Sequence, residues 1–167
     1  MKALPPKLVL ALLALIPLNA PATMHYVDVN SPSPTPPYAN WPTAARNIQD
    51  AVDAADPGDE ILVTNGIYAT GSRKAIVPAP TRVVVTKPVA VQSVNGPQFT
   101  VINGGGTNRC ILLTDGASLT GFTLTNGYTY GSGGYGGGVL CVSTNAFLTN
   151  CMIADNAAHY ASPRDRG

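Results

Sequence analysis

Cys110-Ile111-Leu112-Leu113-Thr114-Asp115-Gly116-Ala117-Ser118-Leu119-Thr120-Gly121-Phe122-Thr123-Leu124 is the stretch that decides the fold, because its pattern comes back further along the chain. Setting Arg109–Gly127 against Gly138–Asn156, an offset of 29, brings Cys110 to Leu113 over Val139 to Val142, apolar on apolar. The same offset places Ala117 on Ala146, Leu119-Thr120 on Leu148-Thr149, Phe122 on Cys151 and Leu124 on Ile153. Two strands, the turn between them and their spacing all recur. A period of this length, built from strands and bends, marks a coiled sheet in which each turn stacks its apolar residues on the turn below. A sandwich has no reason to repeat its sequence in this way.

Upstream, from Gly58 onward, short apolar runs alternate with turn signals: Ile61-Leu62-Val63, Asn65-Gly66, Val83-Val84-Val85, Val89-Ala90-Val91, Asn95-Gly96-Pro97, then Phe99 to Ile102. Many short strands at regular spacing agree with the repeat. Before Gly58 the pattern changes. Ile48, Ala51, Val52 and Ala55 recur at helical spacing, with Thr43 as the expected N-cap and Asp56-Pro57-Gly58 as the stop. Ser31 to Pro37 holds four prolines and reads as an extended connector, and His25 to Val29 alternates like a short strand.

At the amino terminus, Lys2 and Lys7 precede an apolar run from Leu8 to Ile16, followed by Pro17 and Ala20-Pro21-Ala22. That order is a signal peptide with a small-residue cleavage step, and a run that stops at Pro17 is too short to span a membrane. The expectation is export, with a product that is secreted or held at the cell surface or outer membrane. Loss of residues 1–22 leaves eight basic residues against nine acidic ones, so the mature chain is almost neutral. It offers no basic stripe to nucleic acid and no acidic tail.

Several pieces together carry a resemblance. Gly136-Gly137-Gly138-Val139-Leu140-Cys141, Leu148-Thr149-Asn150-Cys151-Met152-Ile153 and Asn156-Ala157 resemble the repeat of bacterial right-handed parallel β-helix surface proteins related to the polymorphic outer-membrane proteins. Tyr26-Val27-Asp28, the proline-rich connector, Asn47 to Ala55, Asn65-Gly66-Ile67-Tyr68 and Lys87-Pro88-Val89 are similar to the cap that precedes such helices. The resemblance implies an all-β chain: a right-handed, single-stranded parallel β-helix of pectate-lyase-like type with one amino-terminal capping α-helix. It divides the chain into a signal peptide (1–22), a short strand and connector (23–42), a capping helix (43–58), β-helix rungs (59–160) and a tail matching no repeat (161–167). The unmatched tail is expected to reflect truncation. The resemblance also implies that Val139, Cys141, Leu148, Cys151 and Ile153 point inward, with Asn156 at a turn where asparagines stack.

Polysaccharide lyases on this fold need acidic oxygens converging from neighbouring rungs. At offset 29 the alternate strand positions, expected to face outward, are Ile111 and Leu113, then Leu140 and Val142, all apolar. Asp115 falls on Thr144 and Asp155 on Asn126, so Arg109, Asp115 and Asp155 read as turn residues and no catalytic residue is assigned. Asp50, Asp53, Asp56 and Asp59 read as a solvated helix face and turn, and His25 and His159 as surface or turn residues. Cys110, Cys141 and Cys151 lack metal-site spacing and read as small buried hydrophobes. No metal and no cofactor is expected. Gly131 to Gly136 fits G-x-G-x-x-G by letter, but a strand follows where a helix is needed to hold a phosphate. Thr123 and Thr125 alternate but align with Met152 and Ala154, so they form no ladder. The same glycine-rich segment, read as a loop, offers Tyr128, Tyr130 and Tyr135 as candidate glycan contacts, since tyrosine presents an apolar face and a polar tip. The expected function is an exported, non-catalytic module for display, adhesion or binding of a polysaccharide or cell-surface glycan. The alternative is the amino-terminal part of a polysaccharide lyase or glycoside hydrolase whose active rungs lie elsewhere.

Overall fold

A computed structural model of the chain describes residues 21–74, 78–131 and 134–160; the expected signal peptide (but for its last two residues) and the tail at 161–167 lie outside them. The described chain is mostly β, with parallel sheets and one α-helix. After β1 (Met24–Val27) and α1 (Ile48–Ala54) come β2 (Glu60–Val63), β3 (Gly66–Tyr68), β4 (Thr81–Val85), β5 (Ala90–Ser93), β6 (Thr100–Asn103) and β7 (Arg109–Leu113). Then follow β8 (Ser118–Thr120), β9 (Thr123–Thr125), β10 (Tyr128–Tyr130), β11 (Val139–Cys141), β12 (Phe147–Thr149), β13 (Met152–Ala154) and β14 (Ala157–His159).

Apart from β1 and β2, which α1 separates, consecutive strands do not pair with one another; from β5 onward each but β10 pairs in parallel with a strand one tier earlier. The first sheet runs β1-β2-β5-β8-β12, the second β3-β6-β9-β13, the third β4-β7-β11, and β10 pairs with β14. Leu148 lies opposite Leu119, which lies opposite Val91, itself opposite Ile61. In the second sheet Ile153 lies opposite Leu124, and Leu124 opposite Ile102. Val63, Val85, Ile102, Leu113, Phe122 and Leu124 join these columns in one core, against which Val139, Ala146, Leu148 and Cys151 pack. Each large side chain fully buried in such a column contributes about 1.5–3 kcal/mol.

The repeat holds with one correction. In the first and second sheets the last tier sits 29 residues after the one before, as expected, but in the third sheet Val139 lies opposite Ile111 and Cys141 opposite Leu113, an offset of 28. Five residues, 142–146, connect β11 to β12 where four, 114–117, connect β7 to β8, and the extra residue restores the register. A slip of one reverses the face of every strand residue. Ile111 and Leu113, expected to face outward, are therefore core residues, fully buried. The inward assignment holds for Val139, Leu148 and Cys151, but Cys141 is exposed and Ile153 is 55 % exposed. No further tier covers them among the described residues.

The corners between strands repeat as well. Asn126 and Asp155, 29 apart, both take the left-handed backbone conformation, as do Gly121 and Asn150. Asn and Gly tolerate that region best, which assigns Asp155 to a corner. Asn156 caps the same corner without an asparagine beneath it, since Gly127 occupies that place. Its Nδ2 donates to the carbonyls of Leu124 (2.9 Å) and Ala154 (2.8 Å), and its Oδ1 accepts the amide of Gly127 (2.7 Å).

The helix is shorter than expected. Asn47, not Thr43, is its N-cap, with Oδ1 accepting the Asp50 amide at 2.9 Å. Thr43 instead ends a 3-10 turn, Trp41–Thr43, capped by Asn40, and Ala45 stays extended to pair with Val27. Ile48, Ala51 and Val52 bury the inner face of α1. Gln49, also buried, lies against the edge of the third sheet: its Oε1 accepts the Val84 amide (2.7 Å) and its Nε2 donates to the Val84 carbonyl (3.2 Å). This side chain supplies the hydrogen bonds that another strand would make.

Candidate functional site

The aromatic surface is built on strands, not on a loop alone. Tyr128 and Tyr130 belong to β10, where alternation sends both to the outer face and Thr129 inward; Thr129 is 2 % exposed and Tyr130 67 %. β14 pairs alongside, putting His159 opposite Tyr130 and its ring 5.7 Å from that of Tyr128. Tyr135 comes from the glycine-rich segment, and its ring lies 5.8 Å from Tyr160. Both ring pairs fall in the separation range of favourable aromatic contacts. The structure therefore brings Tyr128 to His159 and Tyr135 to Tyr160, and the two pairs meet at the consecutive residues His159 and Tyr160.

The segment carrying Tyr135 is fixed by its backbone. A Cβ on Gly137 would lie 2.1 Å from the Ala157 carbonyl oxygen, and one on Gly134 would lie 2.2 Å from that of His159. Only glycine permits that approach to β14. From the other side, fully buried Arg109 donates from Nη2 to the Tyr135 carbonyl (2.7 Å), from Nε to the Gly136 carbonyl (2.9 Å) and from Nη1 to Thr81 Oγ1 (3.0 Å). Arg109 is thus a positioning residue for Tyr135, a role that its sequence context did not reveal. His159 and Tyr160 were missed too, although extending the offset of 29 by three residues puts His159 on Tyr130.

Asp115 occupies a different place, an open groove of about 690 Å³ between Thr86, Pro88, Thr114 and Asn145. It accepts a hydrogen bond from Ser143, and no second acidic residue lines the groove. Among the described residues no group of three or more His, Cys, Asp or Glu side chains could hold a metal ion. Of the cysteines, only Cys110 is fully buried, and burial pushes its thiol up to about 11. Its Sγ contacts the Thr125 carbonyl at 3.2 Å.

One polar cluster contradicts the sequence reading outright. His25 and Asp59, expected on the surface and at a solvated turn, are 2 % and 7 % exposed, with His25 Nε2 2.9 Å from Asp59 Oδ2. The other ring nitrogen meets the Pro37 carbonyl at 2.6 Å. Asp59 also accepts the amides of Thr23 (2.8 Å) and Asp56 (2.8 Å). Burial raises the Asp59 carboxyl, but hydrogen bonds from His25 and from the Thr23 and Asp56 amides outweigh it and hold the group below its usual range.

No family model matches the chain, and neither the curated proteins nor the solved structures contain a match. Among the described residues no helix is long and apolar enough to cross a membrane.

Proposed function

We propose that the chain is an exported, right-handed parallel β-helix module that binds a polysaccharide or cell-surface glycan through Tyr128, Tyr130 and Tyr135, extended by His159 and Tyr160. The parallel pairing of strands with those a tier earlier supports the coiled reading, and the lysine-flanked apolar run before Ala22 supports export. The observation that carries the binding reading is the exposed aromatic face of β10 and β14. Tyr130 and Tyr135 expose more than half of their surface, yet the backbone beneath them is held by Thr129, Arg109 and close glycine contacts. Rings displayed from a rigid support meet the flat face of a sugar at low entropic cost, while hydroxyls bond to its edge.

Retardation of the purified protein in gels containing individual plant, cell-wall and capsular polysaccharides tests the reading. At least one polysaccharide is expected to retard it, and replacing Tyr128, Tyr130 and Tyr135 together by Ala is expected to abolish the effect. Unchanged retardation of that variant, or none by any polysaccharide, would end the glycan reading.

A further inference from the structure

We infer that Asp59 is the docking carboxylate for the amino terminus that cleavage after Ala22 creates at Thr23. The inference rests on the export reading and concerns the end of the molecule remote in sequence from the tyrosine surface. Thr23 is held at both backbone atoms: its nitrogen donates to Asp59 Oδ1 at 2.8 Å and its carbonyl accepts the Glu60 amide at 3.0 Å. Pro21 and Ala22, just before it, are exposed. The boundary that the small-residue pattern sets for cleavage thus coincides with the first residue gripped by Asp59 and Glu60.

The chemistry of Asp59 explains why that coincidence matters. Its side chain is 9 % exposed, and Oδ2 is already engaged by His25 Nε2 and the Asp56 amide. Oδ1 faces the Thr23 nitrogen. In the uncleaved chain that nitrogen is a neutral amide with one hydrogen. Hydrolysis adds water across the Ala22–Thr23 bond: the Ala22 carbonyl carbon takes the hydroxyl, the Thr23 nitrogen takes a hydrogen, and the new acid passes its proton to the new amine. The result is a carboxylate on the departing peptide and an ammonium on Thr23. The nitrogen beside Oδ1 then carries a full positive charge, and its bond to Asp59 becomes charge-assisted, roughly twice as strong as a neutral one. Cleavage would thereby tighten the start of the first sheet, since Thr23 leads directly into β1, whose Met24 lies opposite Glu60.

The test compares protein beginning at Thr23 with a free amine and the same protein acetylated there, each with Asp59 and with Asp59→Asn. Acetylation is expected to lower Tm by about 2–4 °C when Asp59 is present and to change nothing in Asp59→Asn. The free amine of the native protein is expected to react with an acylating reagent about tenfold more slowly than in the same protein unfolded by denaturant. This second measurement needs no substitution and decides the matter if Asp59→Asn does not fold. Equal Tm values with and without acetylation, together with equal reactivity, would overturn the docking and leave export standing. Exported protein whose first residue is not Thr23 would overturn the docking alone, whereas a chain that is retained in the cell with Met1 in place would overturn both.

Discussion

The tier formed by β7, β8 and β9 and the tier formed by β11, β12 and β13 have matching apolar patterns but very different burial. Leu113, Leu119, Phe122 and Leu124 are fully buried, whereas their counterparts Cys141, Leu148, Cys151 and Ile153 are exposed or only partly covered. Both tiers make the same backbone ladders. The difference is that, among the described residues, the earlier tier has chain on both sides and the later one on a single side. Burial here is a property of stacking, not of the individual strand, so each tier stabilises its neighbour more than itself.

Substitutions at matched positions test that contrast. The largest effect is expected from Phe122→Ala, which should lose about 3–5 kcal/mol in denaturant unfolding, because its cavity is enclosed on both sides. A loss below about 1 kcal/mol would mean that the inner tier is as loose as the outer one. Next comes Asn156→Ala, which leaves the Leu124 carbonyl and Gly127 amide without the side chain that joins the two tiers, at a cost of about 1–3 kcal/mol. Hydrogen exchange at Gly127 should rise with it; if it does not, the corner is not what couples the tiers.

A third expectation concerns the opposite end. The Asp59 carboxyl is lowered by folding, so its contribution is present above the unfolded value, about 4, and is lost as pH falls through the depressed folded value. Stability measured from pH 5 downward should therefore decline more gently in Asp59→Asn. Identical slopes would show that Asp59 is not a folding-linked proton site. The smallest effect is expected from Ile153→Ala, within about 0.5 kcal/mol, since its side chain leaves no enclosed cavity. A cost approaching that of Leu124→Ala would show that something covers the outer tier in solution.

The columns Leu119–Leu148 and Leu124–Ile153 were readable because both repeat the same residue class at one spacing. The third sheet was misread by one residue because apolar side chains fill every position of Cys110 to Leu113, and a continuous apolar run carries no register. The helix start was misplaced for a related reason: Asn47 and Thr43 both precede apolar residues, and only the pairing of Ala45 with Val27 decides between them. The tyrosines were legible as chemistry but not as geometry, since Tyr128 and Tyr130 were read as loop residues. His25 and Asp59 left no local trace at all. They stand 34 positions apart and meet only through the ladder of β1 on β2, where the spacing is 36 and matches no later tier.

The Gln49 carboxamide gives the third sheet a direction. Its edge at β4 has its Val84 amide and carbonyl occupied, while among the described residues no side chain plugs its edge at β11 in this way. A strand arriving at the β4 edge would have to displace the Gln49 carboxamide from Val84, so the plug works against edge-to-edge addition at this end of the sheet.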